Sequence, residues 1–277
     1  MLFKDEKLKP LNILLYLIGV TTIILIMQHF YKLMPDFKYE LPIEFLVITV
    51  VSCFFLYLIS GNKTFKSAFN DTGYVIKTLF PTLLFPLLFC VMGILTIVMD
   101  KPALKDTWLF DTIMNLFCMM LVGIYEEVGF RFCACDAMLP VLKKTKHPFF
   151  WTSFIAGIIF GWVHVVWVNF ANLQEVMQFV LKIANLTLHS ATYMFLYWKT
   201  RSIAGLAIVH CLNDFLPTFL TDMFVFENVN ETAGYTSGDA GTTIIYLIQL
   251  VVSIACFIYV YKKVWKTIDK QKVLEEW

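Results

Sequence analysis

The sequence predicts an all-α protein that crosses a membrane several times, and three observations lead there. The 277-residue chain is 59% hydrophobic and only 16% charged, with a mean hydropathy of +0.71; a soluble domain carries about a quarter charged residues. Its apolar residues gather into runs near the length that spans the hydrocarbon core, about 20 residues of helix. Phe alone counts 27 residues, and Trp and Tyr are also plentiful, which suits lipid-facing surfaces and interfacial belts. The net charge of +1 argues against a nucleic-acid partner.

Eight runs qualify as transmembrane helices: about Leu11 to Phe30, Ile43 to Ser60, Tyr74 to Met99, Trp108 to Ala137, Phe149 to Val168, Val176 to Trp198, Ile203 to Phe224 and Ile244 to Val264. Pro81 and Pro86 should kink the third. The first lacks a small-residue cleavage site after it, so it reads as a retained span. The connections are short and polar; the longest, Phe226 to Thr242, is rich in Gly, Asn, Asp and Thr and reads as mobile. No internal repeat or linker divides the chain, so residues 1–277 read as one membrane domain with its chemistry between about 108 and 224. With the N-terminus inside, inner segments hold 16 Lys and Arg and outer segments 4. That bias places both termini in the cytoplasm of a multi-pass cell-membrane protein. The seven Cys sit in or beside apolar runs and read as reduced thiols.

The chemistry centres on Tyr125 to Arg131, Tyr-Glu-Glu-Val-Gly-Phe-Arg. Carboxylates out of water need a partner or a polar cavity. Glu127 and Arg131 are four residues apart, with the acid on the favourable N-terminal side. They read as a structural ion pair, which leaves Glu126, about 100° around the helix, for chemistry. His164 follows Phe160 and Gly161 on the fifth run. Gly157 and Gly161 make a small-xxx-small pair that lets a neighbouring helix approach. On the seventh run, Asn213 and Asp214 lie three and four residues after His210 and can share its face. Counted from the inner loops at ~1.5 Å per residue, Glu126, His164, His210 and Asp214 fall roughly 20, 24, 14 and 20 Å deep. They can meet in one layer if the fourth helix does not break at Gly129.

A carboxylate and two imidazoles in such a layer suit water activation. Glu126 would take the proton, His164 would orient the water, and His210 with Asp214 or Asn213 would donate to an oxyanion. No Ser or Cys sits beside a His as a nucleophile would. A zinc version would use Glu126, His164 and His210 as ligands. It ranks second, because the helical His-Glu-x-x-His pattern is absent, and no cofactor is expected. Lys182, Asn185, His189 and Thr192 form a polar stripe on the sixth run, read as a cavity wall or packing seam. His29 and His147, near span ends, read as solvated. Two other readings stand beside the hydrolase: a proton-coupled transporter using the same groups as a relay, and a non-catalytic immunity or regulatory membrane protein.

Glu126-Glu127-x-x-x-Arg131, then Phe160-x-x-x-His164, then His210-x-x-x-Asp214, in that order on three apolar helices, resembles the CPBP family. This is the CAAX-protease and bacteriocin-processing (Abi) group of intramembrane glutamic endopeptidases. The resemblance covers about Trp108 to Phe224. It implies an eight-helix bundle like that of prenyl-protein endopeptidases, acting on a membrane-associated peptide or lipid-modified protein. By motif, Glu126 corresponds to the catalytic base and His164 to its partner. His210 and Asp214 correspond to the oxyanion pair, and Glu127 and Arg131 to structural supports. The last motif position is often Asn in the family; an ionised Asp214 cannot donate, so Asp214 is protonated, or orients His210, or is replaced in the role by Asn213.

Overall fold

The computed structural model describes residues 8–33, 40–165, 168–226 and 237–277. Among these, eight long helices follow the predicted runs in order: α1 (Pro10–His29), α2 (Glu40–Ser60), α3 (Thr72–Asp100), α4 (Trp108–Leu142), α5 (Pro148–Val163), α6 (Leu173–Thr200), α7 (Ile203–Met223) and α8 (Ala240–Lys263). Most of the loop from Phe226 to Thr242, expected to be mobile, lies outside the described residues; Ala240 to Thr242 already belong to α8. A two-residue antiparallel pair, β1 (Ala103–Leu104) with β2 (Phe224–Val225), ties the end of α3 to the end of α7.

Six of these helices, or stretches that include them, are long and apolar enough to cross a membrane, which makes this a multi-pass membrane protein. The other two depart from the expected pattern for different reasons. α5 is apolar but only 16 residues long; the predicted run continued to Val168, yet the helix ends at Val163 and His164 caps it. α6 is 28 residues long, but its polar residues keep it off the apolar set. A helix too polar to face lipid must face protein or a cavity.

Local chemistry sets the ends and bends. α3 is interrupted by a 3-10 stretch, Phe80–Leu83, where Pro81 removes a donor, so the expected proline distortion is present. The Asn172 side chain caps α6 by accepting from Gln174 N, Ser202 caps α7 by accepting from Gly205 N, and Asp239 caps α8 by accepting from Thr242 N. Hydrogen bonds from Ser237 and Thr242 hold the Asp239 carboxyl well below the usual carboxylate range.

α4 is the shaft of the bundle, and it changes character midway. Its first half exposes Leu109, Phe110, Ile113, Leu116 and Phe117. From Tyr125 to Pro140 every residue is buried. The helix does not break at Gly129; it passes through a π-helical stretch, Glu127–Phe132. Near its far end, buried Asp136 accepts hydrogen bonds from Ser60, from Thr64 at 3.0 Å, from Tyr197 at 3.2 Å and from Trp277 Nε1 at 2.7 Å. The Arg201 guanidinium lies 3.3 Å above the Trp277 ring. Four segments are thereby fastened to one carboxylate.

Two close approaches bring the site helices together. A Cβ on Gly123 would sit 2.6 Å from Ala207 O, so only glycine lets α7 come this near α4. A Cβ on Gly157 would sit 2.7 Å from Thr187 Cα, and one on Gly161 3.1 Å from Ile183 Cα. The small-xxx-small pair does what its spacing predicts, with α6 as the neighbour.

Candidate active site

Glu126 closes the regular part of α4, one turn after Gly123. The Gly123 contact with Ala207 sets α7 so that His210, one turn further on, meets Glu126. His210 Nε2 lies 3.2 Å from Glu126 Oε2, and His164 Nε2 lies 3.5 Å from Glu126 Oε1. Three helices therefore bring one carboxylate and two imidazoles together.

The hydrogen bonds define what each group offers. His164 Nδ1 is 2.8 Å from the Phe160 carbonyl. A carbonyl only accepts, so Nδ1 carries a hydrogen, and in the neutral ring Nε2 is an acceptor. His210 faces carboxylates on both edges: Nδ1 is 2.5 Å from Glu127 Oε1, and Nε2 is 3.2 Å from Asp214 Oδ2 as well as from Glu126. Both nitrogens donate when His210 is an imidazolium, which matches three acids around it.

Glu127 and Arg131, both fully buried, form the expected ion pair across the π-helical stretch. Arg131 also donates to Ser190 Oγ at 3.1 Å and to His189 Nδ1 at 3.4 Å. Its guanidinium carbon stacks 4.0 Å from the Phe160 ring centroid. Phe160 thus touches both Arg131 and, at 4.4 Å between centroids, the His164 ring. A planar guanidinium suits this setting, forking to several acceptors while lying on an aromatic face.

Asp214 and Asn213 separate. Asp214 reaches His210, as its spacing predicts. Asn213 turns away: its amide donates to Val209 O at 2.9 Å and to Tyr193 Oη at 3.3 Å.

These groups border a chamber of about 900 Å³ enclosed mainly by α3 to α8. Its lining is mixed: Met27, Phe45, Phe85, Phe89, Met119 and Val122 from α1 to α4 are apolar, and Lys182, Asn185, His189, Thr192, Gln249 and Ser253 from α6 and α8 are polar, with Leu186, Ile245 and Val252 among them. Glu126 and His164 also face it. The polar stripe of α6 is a cavity wall, and Ser253 of α8 donates across to Asn185 Oδ1. His29 and His147 are exposed at helix ends, as expected. Among the described residues no group of three or more His, Cys, Asp or Glu side chains is spaced to hold a metal ion.

Sequence reasoning missed Ser190 and Tyr193, and placed His189 in the wall without its link to Arg131. Tyr193 lies tilted against His189, 4.2 Å between ring centroids, and stands edge-on to His210 at 6.3 Å. The available signal was the sixth helix itself, whose polar positions recur where lipid would demand apolar ones.

No curated protein and no solved structure matches the chain. A family model described as type II CAAX prenyl endopeptidase Rce1-like matches residues 107–216. That stretch runs from the start of α4 into α7 and contains every motif residue named above. Through the segment that builds this site, the chain is therefore similar to the Rce1-like type II CAAX prenyl endopeptidases.

Proposed function

We propose that the chain is an intramembrane endopeptidase in which Glu126 activates water to hydrolyse a peptide bond. The observation that supports this is the approach of Glu126 to His164 and His210, at 3.5 and 3.2 Å, at the wall of the chamber. A carboxylate and an accepting His164 nitrogen face each other across that gap. A water between them donates one hydrogen to each, which leaves its oxygen lone pairs for a scissile carbonyl. As the oxygen adds to the carbonyl carbon, Glu126 takes its proton, and the same proton passes to the departing amine. The His210 Nε2–H, aimed toward Glu126 and Asp214, donates to the oxyanion. Asp214 acts by orienting His210, since the Asn213 amide is committed elsewhere. Glu127 and Arg131 hold the pair from behind.

The apolar residues of the lining suit a lipid chain and the polar ones a peptide backbone. A lipid-modified, membrane-associated peptide therefore fits best, entering a protein with both termini in the cytoplasm. The hydrolysis needs no metal in this scheme. The test is Glu126→Gln in the full chain, followed by comparative peptidomics of membranes carrying each form. Loss of specific cleaved products at normal expression supports the reading; unchanged products overturn it. The bridge from Glu126 through His210 to Glu127 also suits a proton relay, and that reading requires pH-dependent solute uptake with no cleaved product.

A further inference from the structure

We propose that His189 supplies a second hydrogen-bond donor to the oxyanion, beside His210. This deepens the proposed function and rests on it. An oxyanion out of water is commonly met by more than one fixed donor. Asp214, when ionised, has no hydrogen to give, and the Asn213 amide is spent on Val209 O and Tyr193 Oη. The nearest residues of α7 thus leave His210 without a companion donor.

His189 of α6 carries the required hydrogen because Arg131 fixes its tautomer. An Arg131 nitrogen lies 3.4 Å from His189 Nδ1. A guanidinium only donates, so Nδ1 accepts and carries no hydrogen. The neutral ring then holds its hydrogen on Nε2, at its other edge. Among the described residues no group is hydrogen-bonded to that nitrogen. Nor is the side chain shut away, since His189 is partly exposed and lines the chamber. Arg131 is itself held by Glu127 and by Ser190, and Tyr193 covers the ring of His189, so the donor is preorganised.

The position suits the reaction. The His189 and His210 rings lie 6.1 Å apart between centroids and stand nearly perpendicular, at 83°. One oxygen can accept from two donors at about 2.9 Å each, which a separation of this size allows. Glu126 is among the charged groups close enough to act on His189. A carbonyl brought to Glu126 therefore meets His210 from α7 and His189 from α6. His189 keeps its hydrogen throughout, and the oxyanion reverts to a carbonyl when the amine departs.

The structural alternative is that His189 only steadies Arg131. Two substitutions divide these roles, because an Asn oxygen takes the place of Nδ1 and a Gln nitrogen the place of Nε2. Purified full-length chain in liposomes is given a farnesylated cysteine peptide whose cleaved bond has been mapped, and the same peptide with sulfur replacing the scissile carbonyl oxygen. Sulfur accepts hydrogen bonds weakly, so donors aimed at this atom favour the oxygen peptide. His189→Asn should lower kcat for the oxygen peptide by about 10²-fold, the cost of losing one oxyanion donor, with KM little changed. It should lower kcat for the sulfur peptide far less, so the oxygen-to-sulfur ratio shrinks. His189→Gln should recover part of both the rate and the ratio. The ratio does not depend on how much of a variant folds. An unchanged ratio in His189→Asn, whatever its rate, overturns the donor and leaves the peptidase reading intact. Cleavage of neither peptide by the wild type, or cleavage that Glu126→Gln does not reduce, overturns both.

Discussion

The polar and the apolar residues of the chamber lining differ in how far they show in the sequence. Glu126, His164, His210, Lys182, Asn185, His189 and Thr192 stand out because each is out of place in a membrane helix, whereas Gln249 and Ser253 of α8 do not. Met27, Phe45, Phe85 and Phe89 of α1 to α3 look like any lipid-facing residue. Phe80, Leu84 and Leu88 on the same third helix do face outward. In a membrane protein, then, reactive groups announce themselves while the surface that selects the substrate does not. The family match begins at residue 107 and ends at residue 216, so it leaves out α1 to α3 and also α8.

That contrast can be broken or sharpened by experiment, beginning with the largest expected effect. Glu126→Gln should lower kcat by about 10²- to 10⁴-fold, the usual contribution of a positioned base, with thermal unfolding unchanged; a fall in stability of the same variant would make Glu126 structural. His164→Ala should lower kcat by about 10²-fold through loss of the water's second acceptor, and a pH–rate profile that keeps its shape would argue that His164 only packs. Arg131→Ala acts on the fold. Leaving Glu127 buried beside His210 without its partner should destabilise by about 3–5 kcal/mol, read as a fall in the unfolding midpoint and in the yield of protein in detergent. Phe89→Ala, among the apolar lining residues, should leave kcat nearly unchanged and alter KM about tenfold for substrates differing in lipid length, the scale of a pocket gaining or losing a few methylenes. A metal chelator should leave the rate unchanged; a loss restored by zinc would move Glu126, His164 and His210 into a ligand set.

Much of the architecture was legible beforehand. The helices lie where the apolar runs do, because a membrane helix must satisfy its backbone internally and show lipid a continuous apolar face. The Glu127–Arg131 pair followed from spacing alone, and so did the His210–Asp214 contact. The end of α5 did not. Val165 to Val168 are as apolar as the helix before them, and nothing in their composition marks the turn at His164. The split between Asn213 and Asp214 was also unreadable, because both positions share a face with His210. Their roles differ because Val209 O, one turn back, and Tyr193 Oη, twenty residues away in the chain, both accept from the Asn213 amide. Ser190 and Tyr193 were missed for a related reason: each is ordinary until Arg131 is seen beside it.

The extra residue wound into α4 at Glu127–Phe132 works as a phase adjuster on a screw. Above it, the thread must aim Glu126 at two imidazoles; below it, the same thread must aim Asp136 at four donors from α2, α6 and the residues around it. Deleting a single residue from this stretch would rotate one end by about 100° relative to the other, so that only one set of partners could be met at a time. The wide turn lets a rod locked at its base still be clocked independently at its working end.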